Sequence, residues 1–297
     1  MKRSMAWAVF TGLFLCTVGK AQDAITIKLK ERGAGETGLV KRNEKTSTKV
    51  TVTDGMGQVL VDQKQLTTEI MEYKETILKR EAGKAPSKLV REYIKAQSGK
   101  DDQVEDGPLQ GKTVQIEKKG GKYVFTYKDG DTVEGQAAAA LVKDFSKKSD
   151  ANAELEKLVL PSKAVKAGDS WKIDMPKIVT ELSKQGGMEI DGAKSTGQGT
   201  LVKAYKKNGA QFGEMKFKME MPIVTIGKDN EQLKFTAGAK IVLDLTMDVC
   251  IDGTSENGTL KMKMLMTGDA TVAAAPGATA TLNVNVDALQ VQMDVKK

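Results

Sequence analysis

The amino-acid sequence predicts a mainly β, α+β protein: a long antiparallel curved sheet or half-barrel with two or three short covering helices. Three observations lead there. Apolar and charged residues alternate with period two over several long runs, the mark of strands with one sheltered face. Glycine and Asn-Gly turn signals separate those runs. Only a few stretches keep helical spacing. The chain has 297 residues and is 40% hydrophobic, enough to build a core and too apolar for wholesale disorder.

The first residues read as a targeting segment. Lys2 and Arg3 precede the nearly uncharged run Met5 to Val18, and Gly19-Lys20-Ala21 offers small residues at the cleavage positions. The run is short of the roughly 20 apolar residues of a membrane span, and Leu15 before Cys16 does not make a lipidation site. Cleavage near Ala21 would remove Lys2, Arg3 and Lys20, lowering the net charge of +7 by three to about +4. An exported chain, periplasmic or extracellular, with no further span and residues 22–297 forming one β-rich domain is therefore expected. A subdivision near 135–187, where the helical spacing gathers, is the alternative. Cleavage also leaves Cys250 as the lone cysteine, which excludes an internal disulfide and reads as a buried structural thiol.

In the mature chain Ile25, Ile27 and Leu29 alternate with Thr26, Lys28 and Lys30. Gly33-Ala34-Gly35-Glu36-Thr37-Gly38 fits G-x-G-x-x-G, but the β-branched segment through Val52 follows it where a dinucleotide site needs a helix, so it reads as a loop. Leu66–Arg80 and Leu89–Gln97 suit either class; their threonines and the Gly83–Pro86 break favour strands. Gly111 to Tyr127 reads as a hairpin about Gly120-Gly121, with Val114 and Ile116 on one arm and Tyr123, Phe125 and Tyr127 on the other. Helices are expected over Gln136–Lys147 (Ala137, Leu141 and Phe145 in phase, Ala138 and Val142 beside them), Ala151–Leu160, and Pro176–Gln185, capped by Asp174.

The carboxy-terminal half returns to alternation. Met215, Phe217, Met219 and Met221 share one face, as do Ile241, Leu243, Leu245, Met247 and Val249, and then Leu260, Met262, Met264 and Met266. Leu282, Val284 and Val286 give way to Leu289, Val291, Met293 and Val295, a change of phase that implies a β-bulge near Ala288. Thioethers are soft and conformationally adaptable, so Met215, Phe217, Met219, Met221, Met262, Met264 and Met266 form the expected wall of an apolar pocket. The competing reading of the same residues is a Met-rich packed core. Cu(I) could also bind thioethers, but the usual histidine partners are missing.

The absence of histidine from the whole chain removes the usual general base near neutral pH and the commonest transition-metal ligand. Ser170, in Gly168-Asp169-Ser170-Trp171, then lacks a base and reads as a turn entering a strand anchored by Trp171. Asp129-Gly130-Asp131 lacks the further ligands of a calcium loop and reads as a turn. The lysines alternating with the apolar positions, and the charge signs mixed along the chain, give no nucleic-acid footprint. No catalytic residue, metal ligand or cofactor site is expected.

The signal peptide, the long amphipathic strands, the few short helices between them, and Leu160-Pro161 followed by Gly168-Asp169-Ser170-Trp171 together resemble uncharacterised bacterial exported β-rich proteins. More loosely, they resemble the lipoprotein-carrier and lipoprotein-localisation superfamily. The likeness covers most of the mature chain and lies in pattern, with no lipobox and no ligand-contacting residue to carry over. It implies a half-barrel sheet closed by helices that holds acyl chains in its concavity. Composition, pattern and resemblance together lead to an exported, non-enzymatic binding or carrier protein for a hydrophobic ligand, lipid or acylated protein. The alternative is a structural or envelope-assembly module that engages an envelope protein without a small ligand.

Overall fold

The computed structural model describes residues 23–54, 56–101, 103–146, 155, 157–183, 187–227, 233–272 and 279–295. The expected signal peptide lies outside them, as do residues 151–154 and 156 of the expected helix Ala151–Leu160, of which 155 and 157–159 are helical, and the Pro276-Gly277 turn.

Strands dominate, as the alternation predicts. In the amino-terminal half they are β1 (Thr37–Thr53), β2 (Val59–Lys79), β3 (Lys88–Lys100), β4 (Gln103–Asp106), β5 (Thr113–Lys119) and β6 (Lys122–Tyr127). Helix α1 (Gly135–Ser146), β7 (Ser170–Lys172) and helix α2 (Met175–Ser183) follow. The rest is β8 (Met188–Ile190), β9 (Thr196–Lys207), β10 (Ala210–Ile226), β11 (Leu233–Phe235), β12 (Lys240–Cys250), β13 (Gly258–Val272) and β14 (Thr279–Val295). All fourteen belong to one antiparallel sheet, with β6-β5-β3-β2-β1-β14-β13-β12-β10-β9-β7 in spatial order. The short β11 continues the lane of β12, β8 continues that of β9, and β4 pairs with β3. The ambiguous stretches Leu66–Arg80 and Leu89–Gln97 are β-strands.

Local chemistry explains the joints. Gly120 and Gly121 turn β5 into β6 with φ of 58° and 82°, a pair of positive values that β-carbons would strain. Asp174 opens α2: its carbonyl accepts from Ile178 N–H at 3.1 Å and its carboxylate from Lys177 N–H at 3.4 Å. The bulge expected near Ala288 is present. Lys45 and Thr46 are adjacent on β1 but face Ala288 and Val286, so Asp287 is the extra residue. The Ile25–Leu29 segment is extended and alternates in burial, but it pairs through isolated bridges, Ile25 to Val165 and Lys28 to Asp252, and not as a strand of the sheet.

Two cores sit on this sheet. The amino-terminal one packs β2, β3, β5 and β6 under α1, whose Ala137, Leu141 and Phe145 are buried. Val142, also expected beside them, is 54% exposed, because it falls off the end of the narrow stripe that meets the sheet. The carboxy-terminal core packs β9, β10 and β12 under α2, β7 and the extended Ile25–Leu29 segment. Among the described residues no helix is long and apolar enough to cross a membrane.

Candidate functional site

Pairing register aligns side chains into rows across the sheet, because opposite residues in antiparallel strands share a face. One row runs Ala96, Met71, Arg42, Val291, Leu260, Met247, Met215 from β3 to β10. The next runs Ser98, Glu69, Glu44, Leu289, Met262, Leu245, Phe217. Beyond it Thr46, Val286, Met264, Leu243 and Met219 align, then Val284, Met266, Ile241 and Met221. One sheet face is thus polar and apolar by turns near β1 and β2, and wholly apolar from β13 to β10.

The seven residues expected to wall a pocket do lie on this one face. Those on β10 are interior: Met215 0%, Phe217 1%, Met219 6% and Met221 5% exposed. They are sealed by Ile173, Met175 and Ile178 and by Trp171, whose ring stands edge-on to Phe217 at 5.9 Å. Trp171 is pinned by its Nε1–H donating to the Val159 carbonyl at 2.8 Å. Gly199 lets it descend, since a β-carbon there would lie 2.3 Å from the indole. Met262, Met264 and Met266 on β13, with Met247 on β12, are only half-buried.

A second constellation lies on the same face at its other end. Arg91 on β3 is 1% exposed. Its Nε donates to Glu75 Oε2 at 2.7 Å and its Nη1 to Asp144 Oδ2 on α1 at 2.5 Å. Its guanidinium is sandwiched between the rings of Tyr73 and Phe145, 4.2 and 4.6 Å from their centroids. Glu75 also receives Arg32 Nη2 at 2.7 Å, and Arg32 Nε lies against Glu256 in the turn before β13. Asp144 lies 3.6 Å from Arg42 on β1, which bonds Glu44 at 2.5 Å. The result is a chain of alternating charge from Glu256 through Arg32, Glu75, Arg91 and Asp144 to Arg42 and Glu44. It joins the turn after β12 to β2, β3, α1 and β1.

Burial disfavours a charged guanidinium at Arg91, yet Tyr73, Glu75, Tyr93 and Asp144 outweigh it and hold its pKa well above the ordinary value. The same burial pushes the Tyr73 hydroxyl up to about 12. Between α1 and strands β1 to β3 lies a cavity of about 210 Å³, larger than the engineered ~150 Å³ cavity that accepts benzene. Arg42, Arg91, Asp144, Met71, Leu109 and Leu141 are among its lining residues. Arg91 Nη2 and Arg42 Nε are buried without hydrogen-bond partners.

The sequence-level reading did not single out this constellation, although its signal is present. Charged residues fall in phase with apolar ones: Leu89-x-Arg91-x-Tyr93 on β3, Tyr73-x-Glu75-x-Ile77 on β2 and Val40-x-Arg42 on β1. A charge on the buried phase must find a partner there. The remaining motifs fall in loops, turns and strand ends. Gly33–Glu36 is a loop entering β1, whose first residues are Thr37 and Gly38, Asp129–Asp131 is a turn, and Ser170 pairs with Thr200 at 2.8 Å. Cys250 is a buried free thiol. Among the described residues no cluster of three or more His, Cys, Asp or Glu is placed to hold a metal.

Fold and site together define a large antiparallel sheet protein with one long apolar face, two cores and a half-open, partly polar cavity. No protein-family model matches the chain, and no curated protein matches its sequence. Among solved structures it is similar to an outer membrane channel from Pseudomonas putida F1, at 8% identity and a TM-score of 0.20, over 89% of this chain and 97% of that one. At that score the likeness carries no argument.

Proposed function

We propose that the protein is an exported, non-enzymatic binding or carrier protein for a hydrophobic ligand, a lipid or an acylated partner, held against the apolar sheet face. The observation that supports this reading is uneven cover on one continuous surface. Met247, Met262, Met264 and Met266 remain half-buried, while their row neighbours on β10 are sealed. An acyl chain laid along β12 and β13 would bury those thioethers at roughly 25 cal/mol per Å² of apolar surface removed from water. Methionine also adapts to chains of differing shape.

The test is lipid extraction and native mass spectrometry of the full chain purified from its own compartment. A stoichiometric lipid or acylated species supports the reading; a ligand-free protein that takes up no lipid from vesicles overturns it. A second reading, an envelope-assembly module, is favoured by the hairpin tip between β1 and β2. There Met56 is 90% exposed, Leu60 58% and Val59 55%, clear of either core. A protein crosslinked specifically at the tip would support it.

A further inference from the structure

We infer that the cavity beneath α1 binds the carbonyl oxygen of an uncharged amphiphile, such as an acyl ester, between Arg91 and Arg42. This rests on the carrier reading and names the ligand's polar end. Two observations carry it independently. First, the cavity of about 210 Å³ is walled on its apolar side by Met71, Leu109 and Leu141. Second, Arg91 is wholly buried, and its Nη2, like Nε of Arg42, is a buried donor with no acceptor. A donor withheld from water normally finds an acceptor, and a guanidinium donor gives a strong bond to it.

Charge decides the kind of acceptor. Along the chain of ion pairs the arginines 32, 42 and 91 face the carboxylates Glu44, Glu75, Glu256 and Asp144. Positive charge is already spoken for, so a further carboxylate would be repelled, while a neutral carbonyl takes the two spare N–H groups without adding charge. Arg42 also stands in the row that continues through Val291 and Leu260 to Met247 and Met215. A head group at Arg42 therefore starts its tail along the thioether face.

The full chain would be titrated with methyl octanoate carrying a 13C carbonyl, with octanoate and with octane, by calorimetry and carbon NMR. The ester is expected to bind most tightly, with its carbonyl resonance moved downfield. Ala140→Leu, which adds apolar bulk to the cavity wall and leaves every charged side chain in place, is expected to weaken the ester at least ten-fold. Arg42→Gln is expected to weaken the ester about ten-fold and octane little. Both variants would first be checked for unchanged strand circular dichroism. Tighter binding of octanoate than of ester, or ester affinity indifferent to both variants, overturns the cavity assignment while leaving a hydrophobic carrier standing. Failure of all three compounds to bind overturns the carrier reading and this inference together.

Discussion

The two cores share one sheet and one face yet cover it differently. Beneath α1 the buried phase admits charge, and Arg91 is held by Glu75, Asp144 and two aromatic rings. Beneath α2 it is filled by thioethers, branched aliphatics and Phe217, and the buried charged residues among those described, Arg32, Glu75 and Arg91, lie elsewhere. The difference teaches how each half tolerates change. An ionic core is directional and suffers when one partner is lost. A methionine core is shaped by volume and tolerates isosteric exchange.

The largest test of that contrast is Arg91→Met against Met215→Leu. The first removes one buried partner each from Glu75 and Asp144, leaving them Arg32 and Arg42, and should cost about 3–5 kcal/mol in urea denaturation. The second conserves volume and should cost under about 1.5 kcal/mol. Similar losses for both would erase the distinction between the cores.

A smaller effect grades the apolar half. Met215→Ala, at a fully buried site, should cost about 2–5 kcal/mol by opening a cavity. Met264→Ala, half-buried two strands away, should cost clearly less in the same assay. Equal costs would mean that β13 is as tightly covered as β10.

Next comes Gly199→Ala, which pushes a β-carbon into Trp171 and should cost about 1–3 kcal/mol, with a shift in tryptophan fluorescence. An unshifted spectrum would show that the indole does not rest on that strand.

The smallest effect is pH-dependent. The Asp252 carboxylate accepts from Gln211 N–H at 2.7 Å, Thr254 Oγ1 at 2.6 Å and Cys250 Sγ at 3.1 Å, which holds its pKa below the ordinary 3.8. A depressed folded pKa adds stability above the unfolded value and loses it as pH falls toward the folded one. Asp252→Asn should therefore be less stable than the parent at pH 7, and the two melting curves should converge below about pH 3.8. Parallel curves down to pH 2 would deny the carboxylate that role.

Much of the fold was legible because burial on one face writes itself into every second residue. Met215 to Met221 show it most plainly, and the change of phase after Val286 located a bulge to within a residue. Helix α1 was legible from Ala137, Leu141 and Phe145, though a helical stripe alone could not say that Val142 would escape the sheet. The ionic chain was harder to see. Arg42, Glu75 and Arg91 look like ordinary strand charges until their phase is compared with that of Val40, Tyr73 and Tyr93. Their partners Asp144 and Glu256 lie far along the chain, and only register and the docking of α1 bring them together. The thioether face was legible as a face, but its uneven cover depends on where α2 and Trp171 rest, which local pattern does not encode.

The sheet does not close on itself among the described residues, since β6 and β7 terminate its order without pairing to each other. Their brevity, six residues and three, then acquires meaning. At one end β6 stops the ladder after six residues with Lys122 on its rim, while at the other β7 covers only Gln198 to Thr200 of the twelve-residue β9, so sideways growth of the ribbon there is opposed chiefly by the charges of Lys203, Lys206 and Lys207.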